Sequence, residues 1–157
     1  MPSELSVHAV QQGPMEFAIS DGGHEITVDY PLPGTDADLK GMTPLRLLLA
    51  SLAGCSGSSV AALLRRDGQA VERVEVTARG QRRDEHPTVI TSIDLAFTVH
   101  GDVDPARVEH ALTLSEAQIC PVWAMVKAGT PVSSSFTVVA GSGGTRCASG
   151  PGSSWPP

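Results

Sequence analysis

The chain has 157 residues, enough for one domain with a substantial core and short for two. Aromatic residues make up only 4%, so that core must be aliphatic, and the net charge is −6. Seven of the acids lie in residues 1–40 beside Lys40 alone, and the rest of the chain is balanced; with no basic stripe, nucleic acid is not the expected partner.

The opening stretch MPSELSVHAVQQG has neither the charged region nor the apolar run of a signal peptide, so the expected compartment is the cytoplasm. There, cysteines are catalytic, metal-binding or inert more often than they are structural disulfides. Cys55, Cys120 and Cys147 show no C-x-x-C spacing and no fourth clustered ligand. No metal site and no cofactor are expected.

Residues 4–10 and 15–20 read as short strands separated by Gln11-Gln12-Gly13-Pro14. Asp21-Gly22-Gly23 is a turn, and His24 to Tyr30 a third strand. Pro31 to Met42 is a loop. It feeds the longest apolar run of the chain, Thr43 to Arg66, TPLRLLLASLAGCSGSSVAALLRR. Thr43 suits the N-cap and Pro44 the first helical position. Arg65 and Arg66 carry the right sign for the last turn, and Asp67-Gly68 is a stop. Leu47 to Leu64 is uncharged and near the lower length for a membrane span, but it holds four serines and two glycines, and Arg46 abuts it. It reads as a buried core helix, with no membrane as partner.

Cys55 sits near the middle of this helix. At about 100° per residue, Leu48, Ser51, Leu52, Ser58, Ser59 and Ala62 flank it. The hydroxyls of Ser51 and Ser59 are placed to donate to a thiolate. A lone small cysteine would simply pack; a second cysteine downstream changes that balance.

Val71 to Gln81 alternates, with Val71, Val74, Val76 and Ala78 set against Glu72, Glu75, Thr77 and Arg79. After a charged turn, Arg82 to Pro87, the segment Thr88 to His100 puts Ile93, Leu95, Phe97 and Val99 on one face. The two form an antiparallel pair with one solvated side. His86, in the turn, reads as solvated, and His8, His24, His100 and His110 show no ligand spacing. Asp104 caps a second helix whose buried positions are expected at Val108, Ala111, Leu112, Ser115 and Ile119. It breaks at Cys120, because a residue before proline is pushed out of the α region. Pro121 starts a short third helix closed by Lys127 and Gly129, and Pro131 to Val139 is a last strand. Residues 1–139 thus read as a single domain. Residues 140–157 read as a low-complexity tail without fixed structure, and Cys147 and Trp155 within it take no role.

Cys120 lies at the N-cap of the third helix, a setting that lowers a thiol's pKa and favours the nucleophilic thiolate. Glu116, one turn earlier, is either a supporting base, a like charge that raises that pKa, or a solvent-facing helix residue.

TPLRLLLASLAGC followed about sixty residues later by LSEAQICPVWAMVKAGTPV resembles the OsmC/Ohr superfamily of thiol-dependent hydroperoxide reductases. DEHPTVITSIDLAFTVHG looks like the branch of OsmC-like proteins distinct from Ohr proper. The resemblance covers roughly residues 15–139. It implies an α+β fold with antiparallel sheets packed around a long central helix, in an intertwined homodimer with active sites at the interface. It implies organic hydroperoxides as substrates, in stress defence. Cys55 would be the peroxidatic thiol that becomes a sulfenic acid, and Cys120 the resolving thiol that closes a disulfide, later reduced by a dithiol. Relatives place an arginine on the strands before the central helix and a glutamate just after its proline. Here residues 1–45 contain no arginine, Leu45 follows Pro44, and Arg46 stands where many relatives of this branch have glutamate. Arg46 is nine residues from Cys55, half a turn around and ~13 Å along the helix, so it would serve only a site formed across the dimer. Two other functions compete: an OsmC-like dimer that binds a small apolar or acyl ligand without turnover, and a purely structural dimer.

Overall fold

The computed structural model describes residues 3–34, 38–141 and 147–151, the last for their backbone alone. Two compact units divide the chain, Met1–Leu48 and Leu49–Pro157.

In the first unit, β1 (His8–Gln11), β2 (Phe17–Ser20) and β3 (Glu25–Val28) form an antiparallel meander. The turn between β2 and β3 is built by Asp21, whose carboxylate accepts the N–H groups of Gly23 and His24, both at 2.8 Å, while Gly22 takes φ 92°. Such Asp-Gly chemistry is why this hairpin was legible. The strands are shorter than the alternation suggested. Of the expected loop Pro31–Met42, residues 35–37 lie outside the described residues.

The second unit holds most of α1 (Pro44–Arg66), then β4 (Ala70–Arg82), β5 (Ile90–Asp102), α2 (Pro105–Leu114), a π-turn (Ser115–Ile119), α3 (Pro121–Lys127), β6 (Val132–Val139) and β7 (Cys147–Pro151). Its sheet has the order β4-β5-β6-β7. The sheet is mixed: β4–β5 and β6–β7 are antiparallel, but β5 and β6 run parallel, in register from Ile93↔Val132 to His100↔Val139. The expectation of antiparallel sheets is corrected here. The chain between β5 and β6 passes through α2 and α3, and such a crossover returns it in its original direction, as a hairpin does not. Of the tail expected without fixed structure, residues 140–141 and 147–151 are described, and the backbone of 147–151 pairs with β6. The side chain of Cys147 and all of Trp155 lie outside the described residues.

α1 is long and apolar enough to cross a membrane by length and composition. Here its Leu52, Val60, Leu63 and Leu64 join Ile93, Leu95, Phe97 and Val99 of β5 in one core cluster. Each such side chain contributes roughly 1.5–3 kcal/mol on burial. Gly57 lets the helix approach β4, since a Cβ there would sit 2.9 Å from Val76 Cγ2. The helix closes at Gly68, φ 74°. The apolar alternation of β4 slips by one residue between Val71 and Val74. A bulge between Val71 and Arg73, opposite Gly101, absorbs the slip and keeps both valines facing the core.

α2 opens as expected, with the Asp104 side chain accepting the Ala106 N–H at 2.9 Å. Its expected core positions Val108, Ala111, Leu112 and Ser115 are buried, but Ile119 is 46% exposed. The π-turn is the reason. It spends an extra residue per turn, so the buried face slips from Ile119 to Cys120.

Candidate functional site

Cys55 rides on α1, half-buried against the core cluster, and Cys120 is buried at the elbow between the π-turn and α3. The elbow is a consequence of Pro121. Cys120 takes φ −83°, ψ 104°, the extended conformation that a following proline demands. The two sulfurs, 65 positions apart in sequence, lie 2.8 Å from each other, with Cys120 Sγ–H donating to Cys55 Sγ. The core side of the elbow is fixed by Trp123, whose ring stacks on Phe97 with centroids 6.3 Å apart.

Cys120 does cap α3, for its sulfur accepts the Trp123 N–H at 3.4 Å. The expected lowering of its pKa is nevertheless corrected. Burial, reinforced by the hydrogen bond to Cys55, pushes the thiol up from 9.0 to about 11, over the opposing pull of the backbone N–H groups. A seven-residue helix offers few aligned dipoles against that desolvation. At neutral pH Cys120 is a protonated donor, and Cys55 is the sulfur that accepts.

The other residues singled out from the sequence stand elsewhere. The Ser59 hydroxyl donates to the Cys55 carbonyl at 2.8 Å and not to its sulfur, which is the common fate of a serine inside a helix. Ser51 and Arg46 are exposed. Among the described residues no lysine or arginine hydrogen-bonds either sulfur. Glu116 is engaged by Lys127, its Oε1 3.6 Å from the ammonium. His86 is exposed in its turn.

Three groups around the elbow escaped sequence reasoning. Lys127 Nζ donates to the Glu116 carbonyl at 3.0 Å, whereas the sequence showed it only as a helix-closing cation. The Ser115 hydroxyl and Trp123 Nε1 are buried without a hydrogen-bond partner among the described residues. Nothing in their spacing signals this. Among the described residues no group of three or more His, Cys, Asp or Glu is arranged to hold a metal.

Two thiols are thus in contact, Cys120 buried and Cys55 half-buried, close enough that oxidation could join them as a disulfide. The model of the family described as OsmC-like protein matches residues 34–135. Protein YhfA of Escherichia coli K12 is 34% identical over 122 residues, covering 77% of this chain and 87% of its own. A hypothetical protein of Aquifex aeolicus VF5 superposes with a TM-score of 0.80 at 29% identity, over 88% of this chain and 98% of that one. The organic hydroperoxide resistance protein OhrB of Bacillus subtilis shares the fold, with a TM-score of 0.64 at 15% identity over 85% and 98% of the two chains. The helix carrying Cys55, the Cys-Pro elbow and the α+β frame that joins them lie within the matched span, and this chain belongs to the OsmC-like family.

Proposed function

We propose that the protein reduces organic hydroperoxides through Cys55 and Cys120. The observation that supports this most is the 2.8 Å contact between the two sulfurs, one buried and one half-buried. In the first step the Cys55 thiolate attacks the distal oxygen of the peroxide. An S–O bond forms, the O–O bond breaks, and the alkoxide leaves as an alcohol after taking a proton. Cys55 is then a sulfenic acid and the peroxide is reduced by two electrons. In the second step the Cys120 sulfur displaces hydroxide from Cys55. The S–S bond forms, the S–O bond breaks, and the Cys120 proton leaves with the hydroxyl as water. A dithiol reduces the disulfide and restores both thiols.

The active form is a homodimer in this reading. Leu48, Ser51, Gly54, Ser58 and Ala62 leave one flank of α1 exposed beside Cys55. Small residues on an otherwise apolar helix suit the close approach of a second α1. Such a seam would shield the thiol and give an apolar substrate a surface to enter. The hydroperoxide class is taken from the name of the Bacillus subtilis relative.

A second reading, a dimer that binds a small apolar or acyl ligand without turnover, is favoured by one observation: no cation touches the thiol pair among the described residues, and residues 1–45 hold no arginine. Stopped-flow mixing of the reduced protein with an alkyl hydroperoxide and a dithiol separates the two. The peroxidase reading expects turnover that disappears in Cys55→Ser at both pH 7 and pH 9. No peroxide consumption at either pH would leave the binding reading in place.

A further inference from the structure

Pro121 does more than bend the chain at Cys120. In the π-turn the Cys120 N–H reaches back to the Ser115 carbonyl at 2.9 Å. The next bond of that pattern would join the Glu116 carbonyl to the N–H of residue 121, and proline has none. The carbonyl of Glu116 is therefore orphaned by the same residue that makes the elbow. Lys127 fills the vacancy from six residues past the proline. Its Nζ lies 3.0 Å from that carbonyl and 3.6 Å from the carboxylate of the same Glu116. One side chain thus joins the start of the π-turn to the last turn of α3, with Cys120 between its two anchor points. The charge also suits the negative end of α3.

We propose that Lys127 is a positioning residue of the thiol pair: its clasp on Glu116 fixes the angle of the elbow and holds Cys120 Sγ against Cys55 Sγ, which raises the tendency of the pair to close as a disulfide. The redox role of the pair rests on the function proposed above, but the clasp itself is testable without peroxide. Glu116 acts here as an anchor and not as a base.

The test uses the full chain. Reduced protein is equilibrated with mixtures of reduced and oxidised glutathione, and the Cys55–Cys120 disulfide is quantified by non-reducing peptide mapping. Lys127→Met keeps the length of the side chain and removes its donors. It is expected to lower the equilibrium constant for disulfide formation about tenfold, a shift of about 30 mV for a two-electron couple. Lys127→Arg can donate to the same carbonyl and is expected to return most of the loss. A Lys127→Met protein with the parental equilibrium constant, or a Lys127→Arg protein no better than Lys127→Met, overturns the proposal. Lys127 is 37% exposed, so its replacement opens no core cavity. Should the Met variant still fail to fold, Lys127→Gln, whose amide is too short to span the clasp, takes its place with the same expected loss. A parental chain that forms the disulfide with glutathione but consumes no hydroperoxide would sink the peroxidase reading and leave the clasp standing.

Discussion

At Cys120, desolvation and capping compete, and desolvation prevails. The cap offers one long sulfur hydrogen bond at 3.4 Å, while the side chain has lost nearly all contact with water. The sign of the pH effect follows. Because the folded thiol holds its proton up to about 11 and the unfolded one only to about 9.0, its contribution to stability is full below pH 9 and is lost as pH rises from 9 toward 11. Urea denaturation of the reduced protein at pH 8 and pH 10.5 should show a drop in midpoint that is smaller in Cys120→Ala, measured against that variant's own pH 8 value. An equal drop in both proteins would mean that other groups carry the effect. The serine hydroxyls near Cys55 show the opposite lesson. Helical spacing sets Ser59 one turn from Cys55, but the second lone pair of the carbonyl one turn back is always available to a helical serine.

Among the elements, those with strong local signals were readable in advance. The start of α1 at Pro44, the Asp104 cap of α2, the alternation of β5 and the break before Pro121 all carry chemistry that acts within a few residues. What the sequence hid depends on distant partners. The parallel pairing of β5 with β6 follows from where the crossover lands, and the π-turn from how Pro121 and the core share out Ser115 to Cys120. The thiol pair was legible as a resemblance, but its 2.8 Å contact and the Lys127 clasp needed the fold. Gly57 tests the packing of α1 on β4. Gly57→Val gains some helix propensity but drives a side chain into Val76, for a net cost of roughly 1–3 kcal/mol by chemical denaturation. A neutral result would mean that the helix can lift off the sheet without loss.

For the whole molecule, the exposed flank of α1 is the feature to explain. A Cβ on Gly54 would meet nothing within 4 Å among the described residues, so a large residue is sterically free there and gains helix propensity. In the proposed dimer the same position lies in the seam. Light scattering of the parental protein should give twice 16.3 kDa, and Gly54→Arg should bring it to the single mass while the circular dichroism stays helical. A Gly54→Arg protein that remains double would move the interface elsewhere. The span between the two sulfurs has one more consequence. A bond between Cys55 and Cys120 would tie off a ring of chain running 65 positions, through β4, β5 and α2. Closing a ring of that size restricts the unfolded chain by an amount worth ~4 kcal/mol. The spent form of the proposed enzyme would then be the sturdier one. Reduction would return the protein to readiness and, in the same act, to its more easily unravelled state, so the supply of reductant in its surroundings would set how long each copy survives as well as how fast it works.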